Sequence, residues 1–219
     1  MFNSRTCQLV LGAGALQLVG LKTITAKHLA LASRCLEVIT LHIAIFKSHF
    51  ELRLPPKQYV LLGQFDQILK DYNNHRQEIF TKMATLMEEL FVEQLLTWEV
   101  RPPMPSHVMR NIVKQIIKLH EALLAIFPAT QVEIVMRDVK KSFTKTFAKK
   151  IASLGVKNDF GPQHGLVQSD VAYFCTNLKS LHGMKDIEDH LGDIWKLSNE
   201  LRTASTPPLT MNKKTLPSR

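Results

Sequence analysis

The sequence predicts an all-α protein with no sheet, and three observations carry that expectation. Apolar residues recur at intervals of three and four through nearly all of the 219-residue chain, which is the period of one helix face. No run of alternating residues flanks an Asn-Gly or Asp-Gly turn, the usual hairpin signal. Prolines gather at Pro55-Pro56, at Pro102-Pro103 and Pro105, and at Pro128, between periodic stretches rather than inside them, because a proline cannot donate to the helical ladder.

The chain is organised around Ser4 to Ile39, where Thr6 to Leu21 carries no charge and Gly12, Ala13, Gly14, Ala15 and Gly20 sit among leucines and valines. Glycine inside a helix costs about 0.5 to 1 kcal/mol relative to alanine, so its abundance points to close backbone approach. Three readings compete. A nucleotide loop fails on spacing, since Gln17 stands where the dinucleotide fingerprint needs a third small residue. A membrane span fails on length, because Leu9 to Leu21 is interrupted by Gln17 and a spanning helix needs about 20 apolar residues. A signal peptide lacks a small-x-small cleavage site. The remaining reading pairs a helix over 4–21 tightly with the helix that follows.

That second helix starts after Thr25 as N-cap, with Leu29, Ala32, Leu36, Ile39, Ile43, Phe46 and Phe50 at bundle spacing. Leu54-Pro55-Pro56 stops it and marks a domain joint, so 1–54 reads as a hairpin belonging to a preceding bundle and 55–202 as a C-terminal bundle. A third helix extends from Lys57 to about Val100, roughly 65 Å at 1.5 Å per residue. Asn73 to Glu78 breaks its apolar stripe, as a kink or a thinly packed stretch. Arg101 to Pro105 is a stiff connection. Ser106 caps a helix carrying Met109, Val113, Ile116, His120, Leu123 and Phe127. Thr130 and Glu133 read as a capping box for a helix with Val132, Val135, Val139, Phe143, Phe147, Ile151 and Leu154 inward. A loop over Gly155 to Val167 precedes a helix from Ser169 to His182, and a last helix starts at Lys185 with Ile187, Leu191, Ile194 and Leu201 on its stripe. A basic tail over 203–219 is expected to be disordered.

Three widely spaced cysteines with no CxxC argue against a disulfide framework or a structural zinc, and a reducing compartment is the default. The nine histidines form no HExxH. His42 and His49 lie about 10.5 Å apart along their helix, too far to share one ion, and His120 reads as a hydrogen-bonded core residue. Asp186, Glu188, Asp189, His190 and Asp193 read as a solvated acidic face. With no nucleophile elbow or phosphate loop, the chain is expected to have no catalytic, cofactor or metal site.

The net charge of +9 becomes informative once located. Arg137, Lys140, Lys141, Lys145, Lys149, Lys150 and Lys157 outnumber the acids Glu133 and Asp138 within 129–157, and Arg202, Lys213, Lys214 and Arg219 face no acid within 202–219. Arg137, Lys141, Lys145 and Lys149 repeat every four residues and make a ridge along one helix; with Lys140 they form the candidate contact for anionic lipid or an acidic protein. The bland reading is a solubilising surface. Nucleic acid is disfavoured, because no recognition motif or aromatic platform accompanies the charge.

The runs SRTCQLVLGAGALQLVGLKTIT (4–25), RCLEVI, LPPKQ (54–58), FDQILKDY (65–72), HEA (120–122) and GPQHGLVQSDVAYF (161–174) resemble the C-terminal part of the vacuolar protein sorting-associated protein 54 family. Its members are subunits of the Golgi-associated retrograde protein (GARP) tethering complex. The resemblance implies elongated helical bundles of the multisubunit tethering complex (CATCHR) type and no catalysis. It further implies action in retrograde transport from endosomes to the trans-Golgi network, with the C-terminal bundle attaching to endosome-derived carriers. Implied partners are the other GARP subunits, met through an N-terminal region this chain lacks, SNAREs and small GTPases of the trans-Golgi network, and the carrier membrane or a receptor on it. The implied location is cytoplasmic, peripheral on trans-Golgi network and endosomal membranes. The family carries leucine where Asp189 stands, a departure that bears on the last helix.

Gly14→Leu tests the hairpin. Overpacking a close helix contact is expected to cost roughly 1 to 3 kcal/mol, read as a lower urea midpoint with an unchanged slope; an unchanged midpoint means the pairing is wrong.

Overall fold

The computed structural model describes residues 25–184 and 191–205, which form six α-helices and no strand. These are α1 (Ala26–Glu51), α2 (Gly63–Leu96), α3 (His107–Leu124), α4 (Ala129–Ser153), α5 (Pro162–Lys179) and α6 (Leu191–Ser205), with a 3-10 segment over Pro56–Leu62. The all-α expectation holds. The helix expected over 4–21, the acidic residues Asp186 to His190 and the tail beyond Ser205 lie outside the described residues.

α1 and α2 form an antiparallel hairpin, since Lys47 meets Asp66, Phe50 meets Phe65 and Glu37 meets Arg76. α2 then runs in the same direction as α4, with Phe91 against Phe143 and Trp98 against Phe147. α3 is the return crossing between them. α4 is central, with α2 and α6 against it, and α3 lies beside α5. One core runs through the bundle and includes Leu29, Ala30 and Leu36 of α1, so it crosses the Pro55-Pro56 joint.

Most element boundaries follow local chemistry. Thr25 caps α1, its backbone N–H donating to His28 Nδ1 at 3.2 Å. Ser106 caps α3 by accepting from the Met109 N–H at 3.1 Å, and the whole expected α3 stripe from Met109 to Phe127 is buried. Several expectations need correction. The long helix is 34 residues, about 51 Å, because Pro56–Leu62 winds as 3-10. The capping box at Thr130 and Glu133 does not form: Pro128 is the N-cap, and Glu133 turns instead to Arg137 at 2.6 Å. The glycine-rich loop is shorter than expected, because α5 starts at Pro162, where a proline's fixed φ favours the first helical turn. Leu154, expected inward, is exposed, whereas the inward set from Val132 to Ile151 is buried.

Asn73 to Glu78 does not interrupt α2, although Asn73, Asn74, Gln77 and Glu78 are exposed. The helix continues through it, His75 is buried, and Arg76 reaches Glu37 of α1 at 3.6 Å. Glu37 also accepts from Arg34 at 2.6 Å and from Gln131 Nε2 of α4 at 3.1 Å, so one carboxylate ties three helices. Burial pushes the Glu37 pKa up, but the hydrogen bonds from Arg34 and Gln131 and the charges of Arg76 and Arg34 outweigh it and hold it below the ordinary value. For His75, burial pushes the imidazole pKa below its ordinary value against the opposing pull of Glu78.

Asp170 of α5 is a fully buried carboxylate. Its carboxylate accepts from Trp98 Nε1 at 2.8 Å, from the Ser106 N–H at 2.6 Å and from Ser106 Oγ at 2.7 Å. Three donors satisfy the buried charge, as burial demands. Ser106 Oγ in turn caps α3, so Asp170 fixes the end of α2, the start of α3 and the body of α5 at one point. Beside it Phe143 stacks on Phe174 with centroids 3.8 Å apart and on Phe147 at 5.3 Å. Among the histidines, His120 Nε2 donates to the His182 carbonyl at 3.0 Å, and His164 stacks on Trp195 of α6 at 4.9 Å.

Asp170→Ala would orphan three buried donors at about 1 to 3 kcal/mol each. We expect a loss of roughly 3 kcal/mol or more by urea unfolding, and a loss below 1 kcal/mol would show the staple to be dispensable. Because His75 binds its proton more weakly folded than unfolded, its contribution is complete above the unfolded pKa of about 6.5 and declines as pH falls below it. His75→Gln is expected to flatten the stability profile below pH 6.5; equal slopes in both proteins would exclude the histidine as the source.

Candidate functional site

α4 sets the ridge because its inward face is apolar and its outward face is not. Val132, Val135, Met136, Val139, Phe143, Phe147, Ala148 and Ile151 are buried, which leaves Arg137, Lys141, Lys145 and Lys149 exposed and Lys140 half-buried. All five expected contact residues therefore lie on one helix, four of them in solvent. A row at i,i+4 climbs obliquely around the helix, so the four cations do not point in one direction.

The cations are not equivalent. Arg137 is bound to Glu133 one turn back at 2.6 Å, and Lys145 lies 3.8 Å from Glu88 of α2. Lys150, next to the ridge, donates to the Leu96 carbonyl at 3.2 Å, capping the end of α2. Lys141 and Lys149 have no ion pair or hydrogen bond among the described residues. Exposed pairs such as Arg137 with Glu133 contribute about 0 to 1 kcal/mol, so an anionic partner can displace them, but Lys141 and Lys149 meet such a partner without first breaking a contact. Periodicity locates the ridge, yet only the fold reveals the partner Glu88, which is 57 positions away and on another helix.

Among the described residues, no three His, Cys, Asp or Glu side chains are grouped to hold a metal. His42 is exposed, with Nδ1 donating to the Val38 carbonyl at 2.8 Å, and His49 is exposed beyond it. Of the acidic patch only Asp193 is described, and it is exposed.

The fold is an all-α bundle with a polar staple in its core and a row of exposed cations on α4. The comparisons give it a family. A model described as Vps54-like protein matches residues 1–90. Human vacuolar protein sorting-associated protein 54 is 49% identical over 195 residues, which is 89% of this chain and 20% of that protein. A solved Vps54 C-terminal domain superposes with a TM-score of 0.56 at 40% identity, covering 63% of this chain and 98% of that domain. A second, described as the C-terminal domain of the Vps54 subunit of the GARP complex, gives 0.55 at 40% identity over 59% of this chain and 98% of that domain. The chain belongs to the Vps54 family. It spans about a fifth of the length of the curated relatives it matches.

Proposed function

We propose that the chain serves as the C-terminal part of a non-catalytic subunit of a vesicle tethering complex. It acts in retrograde transport from endosomes to the trans-Golgi network and attaches to endosome-derived carriers through the α4 ridge. Two things support this reading: membership of the Vps54 family, one of whose solved domains is described as part of a GARP subunit, and the exposed cations of α4. The ridge itself is the carrying observation. On this reading the other GARP subunits, SNAREs and small GTPases of the trans-Golgi network are partners of the longer protein, and the chain works at the cytoplasmic face of trans-Golgi network and endosomal membranes. The ridge touches the carrier membrane or an acidic receptor on it.

A second reading keeps the bundle purely structural, positioning other subunits without membrane contact. The pairing of Arg137 with Glu133 and of Lys145 with Glu88 favours it, because charges satisfied within the fold need no outside partner.

Vesicle flotation separates the two. Each basic residue near an anionic surface contributes about 1 kcal/mol, so removing both Lys141 and Lys149 with glutamine is expected to weaken binding to phosphatidylserine vesicles roughly 30-fold. Binding should also fall as salt shortens the Debye length from about 10 Å toward 3 Å. Equal flotation with neutral and anionic vesicles, or no change on substitution, favours the structural reading.

A further inference from the structure

Phe160 stands out in the loop between α4 and α5. It is 88% exposed and its φ is 58°, in the left-handed region that a bulky side chain rarely adopts. A glycine at that position would carry neither penalty, and outliers of this kind gather at functional positions. The loop is built to hold the ring out. Gly155, with φ 69°, ends α4, and the Val156 N–H donates to the Ile151 carbonyl at 3.3 Å while the valine side chain returns to the core. Further on, Gly161 is the N-cap of α5, and its N–H donates to Asp159 Oδ1 at 2.9 Å. Phe160 sits between these two fixed points. Its ring centroid lies 5.2 Å from that of His164, which is itself buried and stacked on Trp195. That contact orients the ring without covering it.

Around the loop, apolar tips stand among cations. Leu154, at the C-cap of α4, is 46% exposed, and Leu96, at the end of α2, is 72% exposed. α2 and α4 run in one direction and Lys150 Nζ reaches the Leu96 carbonyl, so both leucines lie at the end of the bundle from which the Phe160 loop emerges. Lys149 and Lys157 are exposed there and Lys150 is half-buried. Asp159, the acid of the loop, is engaged with the Gly161 N–H, and Glu99, just past α2, pairs with Arg101 at 2.8 Å.

We infer that this end of the bundle enters an anionic bilayer, with Phe160 as the inserted ring, Leu96 and Leu154 at the surface beside it, and Lys149, Lys150 and Lys157 reaching lipid phosphates. The inference rests on the reading that α4 meets an anionic carrier surface, and it names the residues that go below the headgroups. Charge and pattern select the occupant. Aromatic rings settle at the level of the headgroups, and lysine stems lie along apolar surface while their ammonium groups stay with the phosphates. A basic collar around apolar tips is the composition of interfacial binders. A protein groove accepting Phe160 is the alternative, and the test separates the two.

Trp98 and Trp195 are 1% and 4% exposed, so a Phe160→Trp variant of the full chain reports on position 160 against a background shielded from lipid. With phosphatidylserine vesicles its emission is expected to move to the blue and to be quenched by lipids brominated in the upper acyl chain. Unchanged emission overturns the inference. Phe160→Gly removes the ring and the left-handed penalty together. Its flotation should be weaker by roughly 10- to 100-fold, with a melting temperature equal to or above that of the parent. Parent-like flotation overturns the inference, as does a lower melting temperature, which would make the ring a structural contact. If Lys141→Gln with Lys149→Gln weakens flotation and Phe160→Gly does not, the ridge reading stands and the inserted ring falls. If the parent chain floats with no anionic vesicle, the inference falls and the ridge is left to an acidic receptor.

Discussion

A single buried carboxylate determines how the C-terminal helices meet. Asp170 cannot be neutralised by a cation, since its partners are an indole N–H, a backbone N–H and a hydroxyl, and its burial is tolerable only while all three stay in place. That requirement ties the end of α2, the cap of α3 and the middle of α5 together, and everything else in the bundle is built outward from it. Trp98 is held by its nitrogen and packs its ring edge-on against Phe147, so the polar staple and the aromatic column of Phe91, Phe143, Phe147 and Phe174 reinforce one another. α4 is thereby fixed in rotation, and with it the direction in which its lysines point.

The Glu37 cluster does the same task at the other end at a shallower depth. It is partly solvated, made of longer side chains, and joins α1 to α2 and α4 through one carboxylate. The structure is thus pinned at two polar points, one dry and one wet, with an apolar core between them. Among the outward faces, that of α4 carries a row of cations and that of α1 carries exposed apolar residues such as Leu41 and Phe46.

How much of this could be read from the chain differs by feature. The α3 stripe and the α4 ridge were legible because both are helical periods written in consecutive residues. Thr25 and Ser106 were legible as caps because capping is local. Asp170 was not recognised, although it shares a stripe with Val167, Val171 and Phe174, and an acid on an apolar face is a signal that could have been used. Asn73 to Glu78 misled for the converse reason: a polar stretch reads as a weakness until Glu37 arrives from another helix. Thr130 and Glu133 had capping-box spacing, but Pro128 began the helix earlier and Arg137 took the glutamate.

By itself, then, the sequence determined the helical class, the punctuation by proline, the positions of the cations and the family to which the chain belongs. These depend on neighbours within about two turns, where the periodicity of the helix fixes geometry. Only the tertiary structure decided which cations are already engaged, which carboxylates hold helices together and which apolar face of α1 is left over. Each of those is a meeting of residues tens of positions apart, and no local period encodes which distant side chain a buried acid or an exposed lysine will face.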